Sequence, residues 1–209
     1  MDAARQTDAT RQKLMAAALE LFAEHGLDGV RIGAITHAAG AANASAIHYH
    51  FGGKDGLVSA ILDKYDAETS AKHRAYAAEL AQVDGVELRD EVRVLVMPYV
   101  DLLNRTDGVA YLRLIGQLLG HPRFAVLERH RKFDAIPGGP LAVMSRANEA
   151  NPQYWQSRRL LVGSLLYHGL ADYATLQFAQ KRDHRPAERD AFVDELVNAI
   201  TAVFQGPRA

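Results

Sequence analysis

The stretch that decides the fold comprises residues 31–54, which read RIGAITHAAGAANASAIHYHFGGK. Ile32 and Ile35 have the spacing of one helix face, and Gly40 follows where many helices end in a left-handed residue. Asn43, a residue type favoured at helix N-caps, predicts that a second short helix starts nearby. Two short helices around a glycine turn are typical of a helix-turn-helix, whose second helix lies in the major groove of DNA.

The charge of this stretch suits a polyanionic partner. No Asp or Glu occurs from Gly29 to Lys54, whereas Arg31, Lys54 and three histidines do. The small side chains at 42 and 44–46 would allow a backbone to come close to DNA. The stretch therefore predicts a surface whose field attracts phosphate.

Two segments carry a more specific pattern. Residues 49–57 read YHFGGKDGL, and residues 14–26 place apolar side chains at helical spacing before the run EHG. These segments resemble the DNA-binding domain of the TetR family of transcriptional repressors, and the resemblance covers only the N-terminal part of the chain. The chain departs from the family at two points: one residue more than the commonest spacing separates Gly40 from Phe51, and Arg31 stands where Ser or Thr is frequent.

The resemblance implies which residues meet DNA. Tyr49 and Lys54 are expected to touch phosphate, whereas Asn43, Ser45 and His48 are placed for base edges or their neighbours. The expected DNA-binding residues are Arg31, Thr36, Asn43, Ala44, Ser45, His48, Tyr49, His50 and Lys54.

Composition alone does not favour a nucleic-acid binder, because 24 Lys and Arg balance 25 Asp and Glu among 209 residues. The absence of cysteine excludes disulfides, thiol catalysis and cysteine-ligated zinc. His48 and His50 lie two positions apart and cannot form the i, i+4 pair of a helical metal site, so we expect no metal and no cofactor. The sequence shows neither a signal peptide nor an apolar run of membrane-spanning length, which predicts a cytoplasmic protein with no membrane partner.

The remaining chain shows helical periodicity and no strand alternation, so the predicted fold is all-α. Residues 1–54 are expected to form the helix-turn-helix domain, and residues 55–209 a helical domain for effector binding and dimerisation. Residues up to about Asp8 look like a loose polar arm before a helix that ends at His25. Further helices are expected at 55–82, 88–104, 109–119, 122–133, 141–150, 152–181 and 186–204.

The last two predicted helices are apolar on more than one side. In the TetR family the corresponding helices pair with their symmetry mates in a four-helix seam, and the resemblance implies the same arrangement here. An ordinary internal core would use the same residues, so both interpretations stay open. The residues expected at the dimer interface are Leu165, Leu166, Leu196 and Ile200.

Polar residues follow helical spacing on two of the later helices. Ser164, His168 and Asp172 lie at four-residue intervals, an order that a helical hydrolase could use. The segment lacks the second glycine of a nucleophile elbow, so we expect no catalytic residue and no enzyme. A pocket lining and a solvated face remain as interpretations. The residues expected to bind an effector are Gln117, His121, His168 and Asp172.

These observations predict a homodimeric transcriptional repressor that binds a palindromic DNA operator and is relieved by a small-molecule effector. Two other classes stay open as alternatives. One is a helical hydrolase that uses the Ser164, His168 and Asp172 line, and the other is a protein that coats DNA without sequence preference.

Overall fold

The computed structural model describes residues 2–41, 45–121, 123, 152–179 and 186–206. Throughout these residues the regular structure is helical, which confirms the predicted all-α fold. The predicted helices at 122–133 and 141–150 lie outside the described residues. The α-helices are α1 (Asp2–His25), α2 (Ile32–Ala38), α3 (Ser45–Phe51), α4 (Lys54–Leu80), α5 (Leu88–Val100), α6 (Thr106–Leu118), α7 (Trp155–Ala179) and α8 (Pro186–Gln205), with 3-10 turns at Asp101–Asn104 and Pro152–Tyr154.

The N-terminal residues are helical, so the predicted loose arm up to Asp8 is wrong. α1 begins at Asp2, and the hydroxyl of Thr10 donates a hydrogen bond to the carbonyl of Gln6 one turn earlier. The prediction of an arm rested on polarity. A polar segment without Gly or Pro can still extend a helix that is anchored further along.

Apolar side chains from α1 hold the N-terminal helices together. α1 lies against α2, α4 and α6, while α3 lies against α4. Ile35 of α2 and Ile47 of α3 are fully buried in this core, so each short helix is fixed by one apolar face. Other fully buried members of this core are Leu14, Ala18, Phe22, Leu57 and Val58.

The connection from α3 to α4 depends on glycines. Gly52 and Gly53 have φ of 73° and 131°, a region that other residues adopt only with strain. Gly56 lies in the first turn of α4, where a Cβ atom would be 1.8 Å from the carbonyl oxygen of Phe51. The end of α3 and the start of α4 therefore approach so closely that only a glycine fits at position 56.

A second core between α4, α5, α6 and α7 contains buried aromatic and polar side chains. The rings of Tyr65 and Tyr111 stack with centroids 4.1 Å apart, and the hydroxyls of Tyr99 and Tyr167 are 3.0 Å apart. Burial raises the pKa of Tyr99 and of Tyr167, so both phenols stay neutral. His73 completes this group, and its ring lies edge-on to Tyr99.

Most of the residues predicted for the dimer seam are buried inside the single chain. Leu166, Leu196 and Ile200 are 2%, 6% and 0% exposed, because α7 packs against α6 and α8, and α8 also against α5. Leu165 is half-buried. The three buried residues therefore contribute to the internal core of the single chain, and their place at a dimer seam stays a prediction.

None of the helices in the described part of the chain has both the length and the apolar character needed to cross a bilayer.

We predict that the stability of the fold falls when the pH is lowered below about 6.5. His73 is 1% exposed, and its Nε2 lies 3.0 Å from the carbonyl oxygen of Leu95. Burial lowers the pKa of His73 from the ordinary 6.5, so the unfolded chain binds a proton that the folded chain does not. The stabilisation is fully present above pH 6.5 and decreases as the pH falls toward the folded pKa.

Chemical denaturation between pH 7.5 and 5.5 checks this prediction. The free energy of unfolding should fall by at most about 1.4 kcal/mol per pH unit, the limit for uptake of one proton. His73→Gln, which keeps a donor but does not titrate, should flatten the dependence. The matched control is His25→Gln, which replaces an exposed histidine outside this core. Equal slopes in wild type and His73→Gln would contradict the prediction.

We also predict that Gly56→Ala destabilises the N-terminal helices by roughly 1–3 kcal/mol, the usual cost of overpacking. The added methyl group would meet the backbone of Phe51, which cannot rotate away. Thermal unfolding measures the effect. Gly120→Ala is the control, because nothing lies within 4 Å of its added Cβ. A melting temperature of Gly56→Ala equal to that of wild type would show that the junction tolerates the atom.

Candidate nucleic-acid interface

The predicted helix-turn-helix is formed by α2 and α3. α2 ends at Ala38, and Gly40 has the left-handed φ of 63° that the sequence predicted. Because Ile35 and Ile47 attach one side of each helix to the core, the opposite sides face outward. This arrangement leaves a short helix free to enter a groove of DNA.

The outward side of α3 carries polar and aromatic groups. Ser45, His48 and Tyr49 are exposed, and Tyr49 is 79% exposed, which is unusual for a tyrosine in a folded domain. His50 is half-buried, and its ring lies edge-on to Tyr49 with centroids 5.0 Å apart. We call Arg31, Ser45, His48 and Tyr49 the reading face.

Arg31 belongs to this face because its side chain is exposed at the start of α2. It is the N-cap residue of α2, with an extended backbone at φ −93° and ψ 149°. Its side chain makes no capping hydrogen bond to α2 and is exposed. A guanidinium at the start of α2 is thus placed where a phosphate could meet it.

Two of the residues predicted to bind DNA, Thr36 and Lys54, make hydrogen bonds inside the protein, and their contact with DNA stays a prediction. Thr36 is 5% exposed, and its hydroxyl donates to the carbonyls of Ile32 and Gly33 within its own helix. The Nζ of Lys54 donates to two backbone carbonyls in the connection between α1 and α2. Asn43 and Ala44, also predicted to bind DNA, lie outside the described residues.

Arg11 is a further cation beside the candidate interface, and the sequence analysis did not predict its place there. Its guanidinium carbon lies 5.4 Å from the centroid of the Phe51 ring at the end of α3. This geometry is that of a cation–π interaction, in which the ring face attracts the positive charge. No local pattern marks Arg11, because α1 and α3 come together only in the folded chain.

The residues predicted to bind an effector lie on α6, on the segment that follows it and on α7, and their role stays a prediction. Gln117 is exposed, with its Oε1 beside Gly26 at the end of α1. His168 and Asp172 lie with Ser164 on the exposed side of α7, so this line is not an enclosed catalytic site. His168 lies close to α6, because its Nδ1 is 3.9 Å from the position that a Cβ atom would take at Gly116.

His121 takes part in a contact between the end of α6 and the N-terminal helices. Its Nε2 lies 3.6 Å from Oδ2 of Asp28, which follows α1. Nearby, Arg123 forms an ion pair with Asp55 in the first turn of α4. We call these two pairs the α6 joint. They connect the later helices to both ends of the helix-turn-helix.

Comparison with known proteins agrees with this geometry. Residues 14–61 match the model of bacterial regulatory proteins of the tetR family. No curated protein matches the chain. The matched segment contains α2, α3 and the first turns of α4, and therefore the whole reading face.

Solved structures of similar fold cover nearly the whole chain. A tetR family transcription regulator from Shewanella sp. PV-4 is 16% identical with a TM-score of 0.63, and covers 91% of this chain and 97% of its own. The fatty acid degradation regulator FadR from Bacillus halodurans is 15% identical with a TM-score of 0.62, covering 94% and 95%. A TetR-family regulator from Rhodococcus sp. is 19% identical with a TM-score of 0.51, covering 94% and 99%.

At these identities the solved structures establish the fold, while the family match at residues 14–61 covers the segment that carries the reading face. Residues 14–61 thus carry the DNA-binding segment of the tetR family of bacterial regulatory proteins, within a chain whose fold is that of solved TetR-family regulators.

Proposed function

We propose that the chain is a homodimeric repressor that binds a palindromic operator and releases it when a small-molecule effector binds. In this proposal residues 1–54 bind DNA in the cytoplasm, and residues 55–209 dimerise and bind the effector. The DNA-binding part of the proposal rests on the difference in exposure between the two sides of α3. Ile47 is fully buried, whereas Tyr49 is 79% exposed beside His48 and Ser45.

An exposed tyrosine of this kind fits a DNA contact better than a core role. Its hydroxyl can donate to a phosphate oxygen. Because residues 29–54 contain no carboxylate, no side chain of this segment would repel the phosphate. His48 and Ser45 lie on the same outward side and can meet base edges. A short helix with few cations binds weakly alone, which favours two half-sites with centres about 34–36 Å apart or a multiple of this.

Dimerisation is supported by the outward sides of α7 and α8. Leu161 and Leu176 of α7 are 55% and 57% exposed in the single chain. On α8 the exposed positions include Ala191, Ala199 and Ala202, whose small side chains allow close approach of another helix. Burying these leucines against a second copy would remove apolar surface from water. This surface replaces the buried leucines as the proposed seam.

Relief by an effector is supported by the interior of the later helices. His73, Tyr99 and Tyr167 place polar groups in an apolar core between α4, α5 and α7. A ligand site typically combines apolar walls with a few such polar anchors. α4 runs from this core to the helix-turn-helix, so a ligand that binds a shifted arrangement of α4 more tightly would reduce DNA binding.

A selection from a random pool of DNA duplexes tests the proposal directly. Enrichment of a palindrome by the protein supports a regulator that reads sequence. Binding without enrichment would indicate the DNA-coating alternative, and the absence of binding would contradict both.

We predict that Tyr49→Phe weakens binding to all duplexes, by about 0.5–1.5 kcal/mol for one lost hydrogen bond. His48→Ala should instead change the preferred base at one position of each half-site. Competition binding with single-base operator variants separates the two effects. The matched control is Tyr154→Phe, an exposed tyrosine in the 3-10 turn before α7, which should bind as wild type does. Unchanged affinity of Tyr49→Phe for operator and unrelated duplexes would contradict the phosphate contact.

We predict that Leu161→Glu gives a folded monomer, because a charge at the proposed seam would have to be buried without a partner. Leu166→Glu should unfold the chain instead, since Leu166 is already interior. Light scattering and circular dichroism distinguish the two results. Val83→Glu, at a similarly exposed valine after α4, is the control and should remain dimeric. A dimeric Leu161→Glu with wild-type stability would place the seam elsewhere.

A further inference from the structure

Lys54 opens α4, and its side chain turns back toward α1. Its Nζ donates hydrogen bonds to the carbonyl oxygens of Leu27 at 2.5 Å and Val30 at 2.7 Å. The same ammonium lies 5.6 Å from the centroid of the Phe22 ring on α1. Hydrogen bonds from a charged donor are stronger than neutral ones, so this group has a defined position. We call the two hydrogen bonds the Lys54 clamp.

Both acceptors belong to the connection between α1 and α2. The side chains of Leu27 and Val30 are buried, so the core also fixes the backbone that carries these carbonyls. Val30 immediately precedes Arg31, the N-cap residue of α2. The clamp therefore fixes the point from which α2 starts.

The clamp also closes the helix-turn-helix at its base. Lys54 and Val30 are 24 positions apart in the chain, and the residues between them are 31–53, which include α2 and α3. Holding the two ends of a segment together reduces the arrangements open to the residues between them. One side chain thus limits the freedom of all residues on the reading face.

We propose that Lys54 is a positioning residue for DNA recognition and not a phosphate contact. The inference rests on the proposed function, in which α3 enters the major groove. The clamp holds Arg31 at the start of α2 and Tyr49 on α3 in one relative orientation, so that both reach the same duplex. The ammonium acts through these residues, and two of its three N–H groups are used inside the protein.

The salt dependence of binding distinguishes positioning from phosphate contact. Lys54→Met keeps an unbranched stem beside Phe22 but removes the donors. With a duplex enriched by the wild-type protein as probe, we expect roughly tenfold weaker binding, as for loss of charged hydrogen bonds, with an unchanged slope of log affinity against log salt. A slope shallower by about 0.9 would indicate a lost phosphate contact and overturn the proposal.

Lys64→Met is the matched control. Lys64 lies on the same helix, and its ammonium is 5.2 Å from the centroid of the Tyr65 ring, but it is distant from the reading face in sequence. This variant should retain the affinity and the salt slope of wild type. A loss equal to that of Lys54→Met would show that the effect is not specific to the clamp, and would overturn the proposal.

Lys54→Arg provides a second variant if Lys54→Met does not fold. It keeps the charge, so a phosphate contact would survive, but its wider planar group cannot occupy the same place between two carbonyls. We expect weaker binding with an unchanged salt slope. Wild-type affinity in Lys54→Arg would overturn the positioning role.

Hydrogen exchange of the DNA-free protein tests the clamp independently of the function. In Lys54→Met and Lys54→Arg, amides of α2 and α3 should exchange faster than in wild type, while those of α5 should not change. Unchanged exchange in α2 and α3 would overturn the proposal. Failure of the wild-type protein to enrich any duplex would count against the proposed function instead, and the exchange result would still decide whether the clamp positions these helices.

Discussion

The recognition helix α3 has seven residues, and a helix of that length is not stable by itself in water. Its conformation therefore depends on Ile47, which is fully buried against the core built by α1 and α4. The close approach of Gly56 to Phe51 keeps the end of α3 against the start of α4. Because the core holds one side of α3, the other side can carry groups chosen for a partner rather than for stability.

The same N-terminal helices are held from a second direction by α6. The α6 joint places His121 against Asp28, and Asp28 lies between the two residues whose carbonyls accept from Lys54. The other pair of the joint connects Arg123 to Asp55, the residue after Lys54. A displacement of α6 would therefore reach both ends of the helix-turn-helix together. This geometry gives the proposed effector a route to DNA binding that does not pass through the reading face.

The parts of the fold that depend on local pattern could be predicted from the sequence. The glycine turn at Gly40 and the apolar spacing of Ile32 and Ile35 act over a few residues, and the structure confirms both the turn and the motif. The direction of Lys54 could not be predicted, because its acceptors are backbone atoms far along the chain. Thr36 was assigned to the DNA interface because the sequence does not show which side of α2 becomes buried when the helix packs against the core.

The later helices show the same limit for apolar residues. α7 carries leucines around most of its circumference, so periodicity alone could not separate Leu161, which is exposed, from Leu166, which is buried by α6 and α8. The sequence marked Gln117 and His168 by their polar character and helical spacing, which do not show how near the two helices bring them. Which polar groups converge depends on how α6 and α7 are oriented, and that orientation is set by long-range packing such as the contact of Gly116 with Ala171.

The acceptors of the Lys54 clamp are main-chain oxygens, which every amino acid supplies. Mutations at Ser45, His48 or Tyr49 therefore leave the frame of the helix-turn-helix intact. Selection can alter the sequence that the protein recognises without first repairing its fold. In its proposed role, the clamp separates the evolution of specificity from the evolution of stability, so that a few surface substitutions on α3 would change the recognised sequence and leave the fold in place.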